Sequence, residues 1–155
     1  MQTNCHLFYQ RFSKKDIELL DISEIITQIE RIDYNPKIQN IGPLKEIVTE
    51  FFSDNGFILN TTLGHSNLTI NGIKHKTGLA IQTGNVARFY ADILKLEWLF
   101  KEKKINNAVY VCFSKESARD SYSSNLIDVE RAIRETIFFD KIINIPILFI
   151  ALDFV

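Results

Sequence analysis

The stretch from Leu79 to Leu96 constrains this chain most. Leu79-Ala80-Ile81 is a short apolar run of strand type that breaks at Thr83-Gly84-Asn85. A helix follows at once, with Val86, Phe89, Tyr90, Ile93, Leu96 and Phe100 at helical spacing. Just upstream, Leu68 to Lys74 reads as a second strand that turns into the first through Asn71-Gly72. Polar side chains at the centre of such a strand, turn, strand, helix unit face a helix N-terminus, where phosphates, metals or carboxylates are commonly held.

The rest of the chain supplies what this unit packs against. Asp21 to Ile32 is helical in period, with Ile22, Ile25, Ile26, Ile29 and Ile32 on one face and Asp21, Glu24 and Glu30 on the other. The acidic side reads as a solvated face or, alternatively, as a surface for a basic partner. Asn35 to Gly42 is a loop by composition, and Pro43 is expected to open a helix at its favoured first position. Leu44, Ile47, Val48, Phe51 and Phe52 form that helix's buried stripe, Glu46 and Glu50 share another face, and Asp54-Asn55-Gly56 ends it. Phe57 to Thr62 begins a meander of short strands. Asn107 to Phe113 and Pro146 to Leu152 are apolar runs of buried-strand type. Between them lie a polar connection, Ser114 to Ser124, and a helix from Asn125 to about Lys141. His6 to Tyr9 is a short strand or an ordered arm. The predicted order is helix, three antiparallel strands, helix, strand, helix, strand: an α/β sandwich with a mixed sheet in a single domain, 1–155.

Composition narrows the function classes. Formal net charge is −1, so no global basic field drives nucleic-acid binding, although a local patch remains compatible with it. Two cysteines, Cys5 and Cys112, are too few for a disulfide framework, and Cys112 sits in an apolar run as a small core residue. No apolar run approaches the roughly 20 residues of a membrane helix, and Met1 is not followed by a signal-peptide pattern, so a cytoplasmic protein without membrane contact is expected. There is no Walker loop, dinucleotide fingerprint, CxxC pair or nucleophile-base arrangement. His65 and His75 flank the hairpin with no further ligand at useful spacing, and read as surface histidines.

The element order and the local text resemble the BamHI/BglII group of type II restriction endonucleases, with the PD-(D/E)XK fold. The pattern in BglII-like members is an Asp, eight intervening residues, a Glu, one residue and a Gln, then a Gly-containing entry into a helix. Here it falls on Asn71, Ala80 and Gln82, followed by Thr83-Gly84-Asn85. The resemblance is strongest over about residues 67–113. It implies a restriction-endonuclease-like sandwich and a site in which strand carboxylates, joined by one from the preceding helix (Glu46 or Glu50), hold Mg²⁺ that activates water against a phosphodiester. Alternation puts positions 80 and 82 on one side of their strand.

The departures decide the expected activity. Asn71 stands where Asp is expected and Ala80 where Glu is expected, and neutral carbonyl oxygens are weak ligands for a hard cation. Asp54 and Asp92 are the alternative carboxylates. Asp92 lies seven residues into its helix, about 10 Å along the axis, which argues against it; an engineered change at Ala80 would leave Asn71 unexplained. The favoured expectation is therefore a degenerate, non-catalytic relative without a cofactor. It binds a protein partner, such as a nuclease toxin that it neutralises, or double-stranded DNA. The alternative is an active Mg²⁺-dependent restriction endonuclease. Asn85 is expected to cap the following helix, Arg88 to bind a phosphate or pair with Asp92, and Lys74 to join His75 and Lys76 in a basic cluster at the hairpin. A homodimer is compatible with a palindromic site, the helices near 43–53 and 86–100 being its proposed interface.

Overall fold

Strands covered on both faces read as continuous apolar runs, and three such runs set this architecture. They are β4 (Thr77–Ile81), β5 (Asn107–Phe113) and β6 (Ile147–Phe154), buried along almost their whole length. A computed structural model describes residues 1–121 and 125–155. The three strands form the parallel centre of a six-stranded sheet. With β1 (Thr3–Gln10), β2 (Ile58–Thr62) and β3 (Thr69–Lys74), its order is β1-β6-β5-β4-β3-β2. β1 is antiparallel to β6, and β3 is antiparallel to both β4 and β2. The sheet is mixed, as expected.

Strand alternation divides the core in two. On one face Leu79, Ile81, Val109, Val111, Leu148 and Ile150 pack against α2 (Ile22–Ile29) and α3 (Ile41–Asp54), through Ile22, Ile25, Ile29, Leu44, Val48 and Phe52. On the other, Ala80, Tyr110, Cys112 and Phe149 pack against α4 (Val86–Lys101) and α6 (Val129–Phe138), through Phe89, Ile93, Leu96, Val129 and Ala132. The short helices α1 (Lys14–Leu19) and α5 (Lys115–Asp120) complete the described elements. α4 is tied to the entry of β6 by a buried carboxylate: Glu97 Oε2 accepts from the backbone amides of Asn144 and Ile145, each at 3.0 Å. Among the described residues no helix is long and apolar enough to cross a membrane.

Several expectations are corrected. Asn71-Gly72 is not the hairpin turn but lies inside β3, and the chain reverses two residues later. Lys74 pairs with Thr77 across a two-residue turn, His75-Lys76, both in the left-handed region at φ 46° and 59°. Gly72 serves close approach instead, because a Cβ there would meet the Ile58 carbonyl oxygen at 3.2 Å. α3 begins before Pro43: Asn40 is the N-cap, its side chain accepting from the Gly42 amide, and Pro43 sits in the first turn where a missing N–H costs nothing. His6 to Tyr9 belongs to a full eight-residue edge strand. The connection after β5 contains α5, and its residues 122–124 lie outside the described part. α3 and α4 cover opposite faces of the sheet, so they do not form one side-by-side interface.

A candidate basic cleft at the end of β4

The β3–β4 ladder stops at Gly72–Leu79, and beyond it the strands part. Asn71 bridges the opening with its side chain: Oδ1 accepts from the Ile81 backbone amide at 2.9 Å. Past Ile81 the chain stays on β5 for one more bond, Gln82 amide to Val111 carbonyl, and then enters α4 through Asn85. As expected, Asn85 caps the helix by accepting from the Ala87 amide at 2.7 Å. Around this end of β4 lie two adjoining hollows of about 400 and 340 Å³, which share Lys45, Gln82 and Arg88. Ile41 and Gly42 bring in the start of α3, and Asn71, Asp92 and Lys95 line the far side.

Gln82 is the centre of the cleft and both ends of its amide are used. Nε2 donates to Asp92 Oδ2 at 2.7 Å, and Oε1 accepts from the Gly84 amide at 3.0 Å. Asp92 is thus part of the site, contrary to the argument from axial distance. A helix that follows its strand through a tight turn runs back over it, and its side chains lean toward the helix N-terminus, so its second turn lies above Gln82. Burial pushes the Asp92 carboxyl above its ordinary range, against the opposing pull of the Gln82 hydrogen bond and of the Lys95, Lys45 and Arg88 charges. The Tyr110 phenol, held well above its usual value by burial and then by the charge of Asp92, is fully buried beside Ala80 in the parallel ladder.

The expected site residues separate clearly. Asn71, Gln82, Asn85 and Arg88 come together at the cleft. Ala80 is buried in the α4-side core and brings no polar atom. Glu46 and Glu50 are exposed and line neither hollow; the α3 residue that does is Lys45. Lys74 is used internally, its Nζ bonding Asp21 at 2.9 Å and the Asn55 carbonyl at 2.6 Å. Arg88 makes no ion pair with Asp92, whose carboxylate bonds Gln82. Sequence reasoning passed over Lys45 and Lys95 and set Asp92 aside. The spacing of Arg88, Asp92 and Lys95, four then three, does place them on one stripe of α4, whereas Lys45 reaches the cleft only because α3 begins there from the opposite face.

Chemically, the cleft offers one carboxylate and three cations. Among the described residues Lys45, Arg88 and Lys95 are free of ion pairs, while Lys37, Lys74, Lys101, Lys115, Arg119 and Arg131 each have an acidic partner. Among the described residues no three of His, Cys, Asp or Glu gather as a metal cage. The Ser-His-Asp cluster elsewhere is a clamp: Ser114 and Ser117 donate to Asp153 Oδ1 at 2.6 and 3.1 Å, and His6 faces Oδ2 at 3.5 Å. Asp153 separates His6 from the serines, so no base reaches a hydroxyl nucleophile.

No curated protein matches the chain. Among solved structures, restriction endonuclease BglII complexed with a DNA 16-mer superposes with a TM-score of 0.74 at 11% identity, over 100% of this chain and 79% of that one. At that identity the likeness shows the fold, and it is the restriction-endonuclease-like α/β sandwich. The family model described as restriction endonuclease BglII/BglIII matches residues 13–152. The chain belongs to the BglII/BglIII restriction endonuclease family.

Proposed function

We propose that this chain is a non-cleaving member of its family that grips duplex DNA by its phosphates. The observation that carries this reading is the convergence of the unpaired Lys45, Arg88 and Lys95 on a cleft that Asn71 and Gln82 line with neutral side chains, and the resemblance of Asn71 and the core residue Ala80 to the family's two strand-carboxylate positions supports it. The donor set does not fit Mg²⁺. Asn71 Oδ1 already accepts from Ile81, Gln82 Oε1 from Gly84, and Asp92 is a single half-buried carboxylate that holds its proton more tightly than usual. Hard cations need several anionic or free oxygen ligands. Phosphate oxygens need what the cleft has: positive charge and unpaired N–H donors. The family's DNA substrate and the DNA held by BglII support the same reading.

The protein-partner alternative has less behind it. Of the acidic residues on and beside α2, Asp21 is tied to Lys74 and Glu30 accepts from the Cys5 amide, which leaves Glu24 as the one carboxylate of that face without a partner among the described residues. Three measurements test the proposal together: a duplex-DNA mobility shift across salt, a cleavage assay with Mg²⁺ or Mn²⁺, and isothermal titration with Mg²⁺. The expected result is salt-sensitive binding, intact DNA and no saturable metal heat. Metal-dependent cleavage would restore the endonuclease reading, and absence of any shift would remove DNA as the ligand.

A further inference from the structure

The start of β4 carries a second polar hollow, about 16 Å along the strand from Gln82 at roughly 3.3 Å per residue. There β4 and β5 begin side by side, Thr77 paired with Asn107. Both side chains are buried, at 2% and 8% exposure, and the Thr77 hydroxyl donates to Asn107 Oδ1. With Arg11, Asp16, Leu20 and His75 they line a space of about 220 Å³. Among the described residues Arg11 and Asp16 form no ion pair, although they bear opposite charges and line the same space. Each is held by a different neighbour. Arg11 Nη1 donates to the Asn144 carbonyl at 3.4 Å, and Asp16 Oδ2 accepts from the buried Asn107 Nδ2, also at 3.4 Å. Arg11 and His75 both take the left-handed backbone region, at φ 59° and 46°. Residues with a Cβ are held there mostly where the surroundings over-determine them, as at ligand sites.

Opposite charges that line one space without closing on each other fit an occupant with acceptors for the guanidinium and donors for the carboxylate. Guanine meets that demand better than the other bases. Its O6 and N7 form an acceptor pair that a guanidinium binds at two points. On the adjoining edge, N1–H and the C2 amine form a donor pair that a carboxylate accepts at two points. Adenine instead turns an amine toward the guanidinium and a bare ring nitrogen toward the carboxylate. The rim carries more positive charge than a net-neutral ligand needs. Lys14, Lys15 and Lys76 adjoin the lining residues in sequence, are exposed, and have no acidic partner among the described residues. That charge suits a phosphate. We infer that this hollow binds a free guanine nucleotide: Arg11 takes O6 and N7, Asp16 takes N1–H and the C2 amine, and the lysines take the phosphate. Asn107 is a positioning residue that orients Asp16.

Isothermal titration of the full chain with guanosine monophosphate, without DNA, tests this independently of the cleft. The nucleotide is expected to bind about 10- to 100-fold more tightly than adenosine monophosphate, the order by which a two-point base contact discriminates. Asp16→Asn separates recognition from folding, because its amide can donate to a carbonyl. The variant should lose about 10-fold or more in affinity for guanosine monophosphate. It should gain affinity for xanthosine monophosphate, whose C2 carbonyl stands in place of the amine, and only a folded protein can gain a ligand. Arg11→Gln should weaken both nucleotides alike. No heat with guanosine monophosphate, equal binding of the adenosine nucleotide, or no gain toward the xanthosine nucleotide would each overturn the proposal. So would glycine competing at the same concentration, which would make the site one for zwitterions. A guanine-bearing trinucleotide that competes more strongly than the monophosphate would assign the hollow to nucleic acid and overturn the free nucleotide as its ligand.

Discussion

Three cleft cations replaced together by alanine give the sharpest test of phosphate binding. Lys45, Arg88 and Lys95 lie on two helices that approach the cleft from opposite sides of the sheet, and none carries a structural ion pair, so their removal leaves the fold in place. Each phosphate neutralised contributes about 0.9 to the slope of log affinity against log salt, so the triple variant should flatten that slope by about 2.7. Between about 50 and 200 mM salt one contact is worth roughly a 3.5-fold loss, so the native chain should lose about 40-fold more affinity over that range than the variant. Fluorescence anisotropy with a labelled duplex measures both lines, and each single variant should move the slope by about one third as much. Equal slopes for native and triple variant would refute the reasoning even if absolute affinity fell, because a misfolded or merely weakened protein shifts the intercept while only lost phosphate contacts change the slope.

Other consequences can be checked on the isolated protein. Asp92→Asn keeps an oxygen for Gln82 while removing a half-buried charge. Because the folded carboxyl is raised, its stabilising effect is full at low pH and lost as pH rises through the raised value; the variant should melt above native protein at pH 7.5, the gap closing in acid, and bind DNA more tightly. Asp153 behaves oppositely. Although burial opposes it, hydrogen bonds from Ser114, Ser117 and His6 hold its carboxyl below the usual range; it stabilises above the unfolded value and loses that effect as pH falls through the lowered one, so Asp153→Asn should flatten the acid limb of a pH–melting profile. Glu97→Ala strands two buried amides, those of Asn144 and Ile145, and should cost about 2–5 kcal/mol in urea unfolding; an unmoved midpoint would mean that water or a shifted loop satisfies them.

The sheet was legible where burial makes the signal simple. β5 needs only its apolar run, and its predicted bounds, Asn107 to Phe113, are those observed. β1 has no such run because as an edge strand it is buried only at Thr3, with the consecutive Phe8 and Tyr9 both exposed. The misplaced turn has a tertiary cause: Asn-Gly is a strong local turn signal, but pairing Gly72 with Leu79 fixes the register and forces His75-Lys76 into positive φ. In the cleft, Asn71, Gln82 and Arg88 could be placed from one strand-helix unit. Asp92 was discounted because distance along a helix axis says nothing of how the helix folds back, and Lys45 because its approach depends on the opposite layer.

The position of β6 carries a consequence for how this molecule comes to be. Among the described strands it comes latest in the sequence, yet it lies second in the sheet, bonded on one side to β5 and on the other to β1, with Gln2 and Val155 bonded beyond their ends. Without Ile147 to Phe154, β1 has no neighbour among the described strands and both core layers lack their Leu148, Phe149 and Ile150 contributions. Closing this sheet joins strands that lie far apart in the sequence. Such a topology makes for slow folding and for a molecule in which deleting the last eight strand residues removes the whole fold rather than one edge.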